Sequence, residues 1–103
     1  MKALDDHTRK QLAAFCASRR VKELAIFGSL LRGQAGADSD VDLLVDFHQD
    51  AHPTLLDLAD MQRELAEIFG RPVDLLTRRG IESSPNRLRR EAILSSAEVV
   101  HVA

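Results

Sequence analysis

Apolar residues along the chain fall into alternating blocks of helical and extended spacing. Leu12, Phe15 and Cys16 recur at helical intervals behind Asp5 or Asp6. Either acid can cap a helix running to about Ser18, with Arg9, Lys10, Arg19 and Arg20 outside or at its basic end. The run from Val21 to Phe27 becomes continuously apolar in its second half and stops at Gly28-Ser29, which predicts a strand followed by a turn. Ser29 to Arg32 has room only for a short helical turn before Gly33, and 34–37 has the composition of a loop. Asp40 to Phe47 predicts a second, largely buried strand that begins with two alternating carboxylates. Thr54 caps a second long helix, on which Leu58, Met61, Leu65 and Ile68 share a face until Gly70. Pro72 to Leu76 predicts a third strand, Ser84-Pro85-Asn86 introduces a last helix through Leu94, and Glu98 to Val102 an edge strand.

This alternation predicts an α/β (α+β) layer structure, a small mixed sheet flanked by helices. The link between the first two strands is too short for a parallel crossover and favours an antiparallel pair; the other strand directions stay open. With 103 residues, 45% of them hydrophobic, the chain can build one compact core but not two, so 1–103 is expected to be a single domain. The formal net charge of -2 gives no global basic field, so a long nucleic-acid substrate is not expected. The one cysteine, Cys16, rules out an internal disulfide and a cysteine-rich metal cage, and fits a reducing, cytoplasmic setting. No stretch reads as a secretory signal or membrane span. The four histidines have no metal-ligand spacing with one another, which argues against zinc.

Chemistry concentrates between Gly28 and Asp42, with one later residue. Gly28 lets the backbone turn sharply and approach a ligand, and Ser29 opens a helical turn whose free N–H groups suit phosphate oxygens. Asp40 and Asp42 lie two apart on a strand and so point to one face. Two carboxylates that close remain ionised together with a cation between them, and hard oxygen donors suit magnesium or manganese. Asp74 stands in the apolar run Val73-Asp74-Leu75-Leu76; if its strand neighbours the second, a triad is complete. Such a third carboxylate would help hold the metal that activates an attacking hydroxyl, or would take its proton. Arg32 could reach a phosphate or orient the Asp loop. Arg78-Arg79 with Arg87, Arg89 and Arg90 form the main local concentration of positive charge, in or near the last helix, with a solvated helix face as the default reading.

Gly28, Ser29, Arg32, Gly33, Ser39, Asp40, Asp42 and Asp74 together match the pattern of the nucleotidyltransferase superfamily. The chain resembles its smallest members, the minimal nucleotidyltransferases found beside HEPN-type partners in toxin-antitoxin pairs. The resemblance implies the nucleotidyltransferase fold, with Gly28, Ser29, Arg32 and Ser39 at the nucleotide and Asp40, Asp42 and Asp74 as catalytic residues and ligands of two magnesium ions, manganese being an alternative. It further implies transfer of AMP from ATP to a tyrosine of a HEPN-type toxin, the chain acting as antitoxin. The chain has no Tyr of its own to modify and no Trp or Tyr to stack a base. It also has no room for the acceptor-binding domains of larger relatives, so the acceptor must be held by a partner or be the partner. Two alternatives stay open: a non-catalytic module that neutralises a toxin by occlusion, and nucleotidyl transfer to RNA or a small molecule with a partner subunit.

Overall fold

The computed structural model describes residues 5–28 and 40–102. The first helix, α1 (Asp6–Arg19), begins where the Asp5 carboxylate accepts the Thr8 N–H at 2.7 Å. It leads into β1 (Val21–Phe27), and beyond 29–39 follows β2 (Val41–Phe47). Helix α2 (Leu55–Phe69) then precedes β3 (Val73–Thr77), a five-residue helix α3 (Arg78–Glu82), α4 (Arg87–Ser96) and β4 (Glu98–Val102).

The four strands form one mixed sheet in the order β3-β2-β1-β4. β1 is antiparallel to both β2 and β4, as the short first link favours, whereas β2 and β3 run parallel. The 25 residues from 48 to 72, most of them in α2, return the chain to the same end of the sheet and make that parallel crossover possible.

Strand alternation divides the core between two faces. Leu24 and Ile26 of β1, Val41, Leu43 and Val45 of β2, and Val73 of β3 meet Leu12, Phe15 and Cys16 of α1 and Met61 and Leu65 of α2. On the opposite face Ala25, Phe27 and Leu44 pack under Ile81 of α3 and Ile93 of α4. The second cover is smaller, and leaves that face of the sheet partly open. Leu65 is fully buried, so Leu65→Ala is expected to cost about 2–5 kcal/mol, read as a fall in the chemical-denaturation midpoint. Burial among the same apolar groups pushes the Cys16 thiol up to about 11, the behaviour of a packing residue rather than a nucleophile.

Helix α2 is started by a reciprocal capping box. The Asp57 N–H donates to Thr54 Oγ1 at 3.1 Å, and the Thr54 N–H donates to Asp57 Oδ2 at 2.8 Å. Gly70 ends the helix in the left-handed conformation, at φ 70°. The Thr54 backbone N–H, and next its hydroxyl, hold the Asp57 carboxyl below the usual aspartate range. Because this folded value lies below the unfolded one, the contribution is complete above the unfolded value and is lost as pH falls through the folded value. Acidification across that window is therefore expected to lower the melting temperature of the native chain more than that of Asp57→Asn.

Several element ends differ from the sequence expectation. β2 starts at Val41 with Asp40 just ahead of it, β3 runs on to Thr77, and α4 continues to Ser96. Arg78 and Arg79 lie near the last helix, in a separate short helix, α3, that precedes it and was not expected. That helix has too few residues to show an apolar period and contains Gly80, and it forms because the Thr77 hydroxyl accepts the Gly80 N–H at 3.1 Å. The helical turn expected at Ser29 to Arg32 and the loop at 34–37 lie outside the described residues. Among the described residues no helix is long and apolar enough to cross a membrane.

Candidate active site

Asp42 lies near the start of β2 with strands on both sides. Its antiparallel neighbour is Phe27 at the end of β1, and its parallel neighbour is Asp74 at the start of β3. Residues directly opposite in a ladder project to the same face. The Asp42 and Asp74 side chains therefore emerge side by side, on the face that also carries Phe27, Ala25 and Leu44, away from α1 and α2. Asp40 immediately precedes β2, two residues ahead of Asp42, and is exposed. The Val41 N–H donates to the Pro72 carbonyl at 2.8 Å, which ties the start of β2 to the approach of β3 and fixes the register. The conditional expectation that the third strand neighbours the second is met.

Asp42 is half-buried, whereas Asp40 and Asp74 are exposed. Neighbouring strands lie about 5 Å apart. Two unit charges at that distance repel by about 1 kcal/mol in water, or about 3 kcal/mol at the effective dielectric of a protein surface. An all-carboxylate donor set of this kind suits a hard divalent cation. Among the described residues no three His, Cys, Asp or Glu side chains are already gathered closely enough to hold a metal ion. What the backbone fixes is the common face and the Asp42–Asp74 register.

Gly28 completes this end of the sheet. Its φ is +82°, in the left-handed region, and a Cβ placed there would lie 2.1 Å from Asp42 Oδ2. The glycine thus serves two needs, allowing the backbone to leave β1 and leaving space that the Asp42 carboxylate fills. Ser29, Arg32 and Ser39, expected at the nucleotide, lie outside the described residues, as does Gly33.

The positive charge of the C-terminal third is largely matched internally. Arg78 faces Glu23 and Glu82, each at 3.4 Å, and Arg87 faces Glu91 at 2.9 Å, while Arg90 donates to the Ser84 carbonyl at 2.7 Å. Arg79 and Arg89 have no ion-pair partner among the described residues. Sequence reasoning did not single out Gln62, whose Oε1 accepts the Leu75 N–H at 3.1 Å, next to Asp74. This contact from α2 ties the backbone of β3 to the helix one residue beyond Asp74. A polar residue on the outer side of a helix gave no signal of it.

The chain belongs to the nucleotidyltransferase domain family, whose family model matches residues 9–100. Among curated proteins it is 41% identical over 63 residues to the protein adenylyltransferase MntA of Thermococcus cleftensis, a match covering 61% of this chain and 62% of that protein. A solved structure of a candidate minimal nucleotidyltransferase is 36% identical, with a TM-score of 0.68 over 89% of this chain and 88% of the other. The fold is also shared with a chain from a crystal structure of a toxin-antitoxin with AMP-PNP, at a TM-score of 0.70 and 15% identity, covering 92% of this chain and 73% of that one. The two solved structures share the fold into which Asp40, Asp42 and Asp74 are set here.

Proposed function

We propose that this chain is a magnesium-dependent protein adenylyltransferase, transferring AMP from ATP to a hydroxyl of a HEPN-type toxin, most simply a tyrosine, and thereby acting as its antitoxin. The observation that carries the reading is the pairing of Asp42 with Asp74 across two parallel strands, beside a glycine turn shaped around the Asp42 carboxylate. Membership of the nucleotidyltransferase domain family and similarity to a protein adenylyltransferase support it.

In this reading Asp40 and Asp42 hold magnesium, with Asp74 as a further ligand, and manganese could replace it. The bound ion would supply Lewis-acid charge neutralisation at the triphosphate. Gly28 and Ser29 would offer backbone N–H groups to the phosphate tail, Ser39 would contact the nucleotide, and Arg32 would either reach a phosphate or orient the Asp loop. The acceptor oxygen forms a bond to the α-phosphorus of ATP as the bond from that phosphorus to the α,β-bridging oxygen breaks, and pyrophosphate leaves with the electron pair. The hydroxyl proton passes to Asp74, whose exposed position at the start of β3 leaves it open to an acceptor carried by another chain.

A second reading, neutralisation by occlusion alone, is favoured by the large exposed side chains Leu55, Leu56 and Leu88, which offer apolar contact area to a partner. Intact-mass analysis of a HEPN-type partner incubated with this protein, ATP and magnesium separates the two. A gain of one or more AMP masses, absent with chelator, is the expected result. An unmodified partner held in a stable, inactive complex would instead support occlusion.

A further inference from the structure

The carboxylates occupy the end of the sheet where the parallel strands begin. The opposite end holds a cavity of about 660 Å³, outside the carboxyl ends of β2 and β3 and between α2 and α3. Its volume falls within the roughly 300–1,000 Å³ of small-molecule sites. The crevice beyond the carboxyl ends of parallel strands is also where open α/β sheets commonly take ligands. From Asp42 to Asp46 along β2 is about 13 Å at the usual rise per residue, so the two ends are separate places.

The lining is mixed in a way that specifies chemistry. Phe47 and Leu58 give apolar walls, Arg79 a permanent cation, and His48 and His52 ring N–H donors. Arg79 has no ion-pair partner among the described residues. The Glu82 carboxylate on the same wall is already opposed by Arg78 at 3.4 Å. That leaves Asp46 as an acceptor for hydroxyl or amino groups.

The geometry points to a second, non-catalytic ligand site here, for a phosphorylated small molecule of nucleotide size. Arg79 and the two histidines would take the phosphate, Phe47 and Leu58 the ring system, and Asp46 a ligand hydroxyl or amine. The site stands independently of the adenylyl-transfer reading, because none of its residues belongs to the proposed catalytic set.

Amide shift titration of the full chain with AMP, with adenosine as the phosphate-free control, tests it. AMP is expected to shift Phe47, His48 and Thr77 saturably, and adenosine to bind there at least about tenfold more weakly for want of charge-assisted hydrogen bonds. Arg79→Ala, an exposed position whose loss leaves the core untouched, is expected to weaken these shifts at least about tenfold while sparing those near Asp42 and Asp74. The combined His48→Ala, His52→Ala variant should weaken them as well. Shifts confined to the Asp42 end, no shifts at all, equal binding of adenosine, or indifference to Arg79→Ala would each overturn the assignment.

Discussion

Replacing Asp42 by Asn should reduce adenylyl transfer at least about a hundredfold, because several kcal/mol of charge stabilisation depend on the carboxylate and each factor of ten corresponds to about 1.4 kcal/mol. Asp42 also faces Asp74 in the ladder, and a cation held between two like charges relieves their repulsion, so the response of stability to magnesium reads out the metal role separately from transfer. Magnesium should raise the melting temperature of the native chain and leave that of the variant nearly unchanged. A purely structural Asp42 predicts no difference between the two chains in the response to magnesium. Circular-dichroism melts beside a transfer assay distinguish the two.

Gly28→Ala is expected to act on both stability and chemistry, for two separable reasons. A residue with a side chain held at φ +82° costs about 1–3 kcal/mol, which a denaturation curve reads directly. The added methyl would also sit 2.1 Å from Asp42 Oδ2, a contact that must be relieved. The cheapest relief moves the end of the Asp42 side chain rather than the strand, so the fold survives and the carboxylate loses its place. A displacement of about 1 Å in a reacting group can cost about a hundredfold in rate, and a loss of that order is expected in the transfer assay. If destabilisation appeared alone, with transfer intact, Gly28 would be a turn residue only.

The parts legible in the sequence are those governed by local pattern. Asp5 and Thr54 cap their helices as their positions suggested, and Gly70 ends the second. The apolar block before Gly28 became β1, and the short connection to β2 correctly favoured an antiparallel pair. Alternation was enough to turn Asp42 to the face opposite Val41 and Leu43, while Asp40 lies just ahead of the strand. What local pattern could not supply was the order of strands. That β3 lies beside β2, parallel and with Asp74 opposite Asp42, depends on how α2 packs across the sheet and on the link from Val41 to the Pro72 carbonyl. Helix α3 escaped for a different reason, since five residues held by the Thr77 cap leave no periodic trace. The close approach of Asp42 to Gly28 joins residues on different strands and was equally invisible, although a glycine at a strand end hinted at some such need.

The most direct test of the central claim is to follow each phosphate of ATP separately. The HEPN-type partner is incubated with this protein, magnesium and ATP labelled at either the α or the γ position, beside an Asp42→Asn control. Adenylyl transfer predicts that α label enters the partner, that γ label leaves as pyrophosphate, and that the control transfers neither. Incorporation of γ label, or α label entering the partner equally well with Asp42→Asn, would contradict the account.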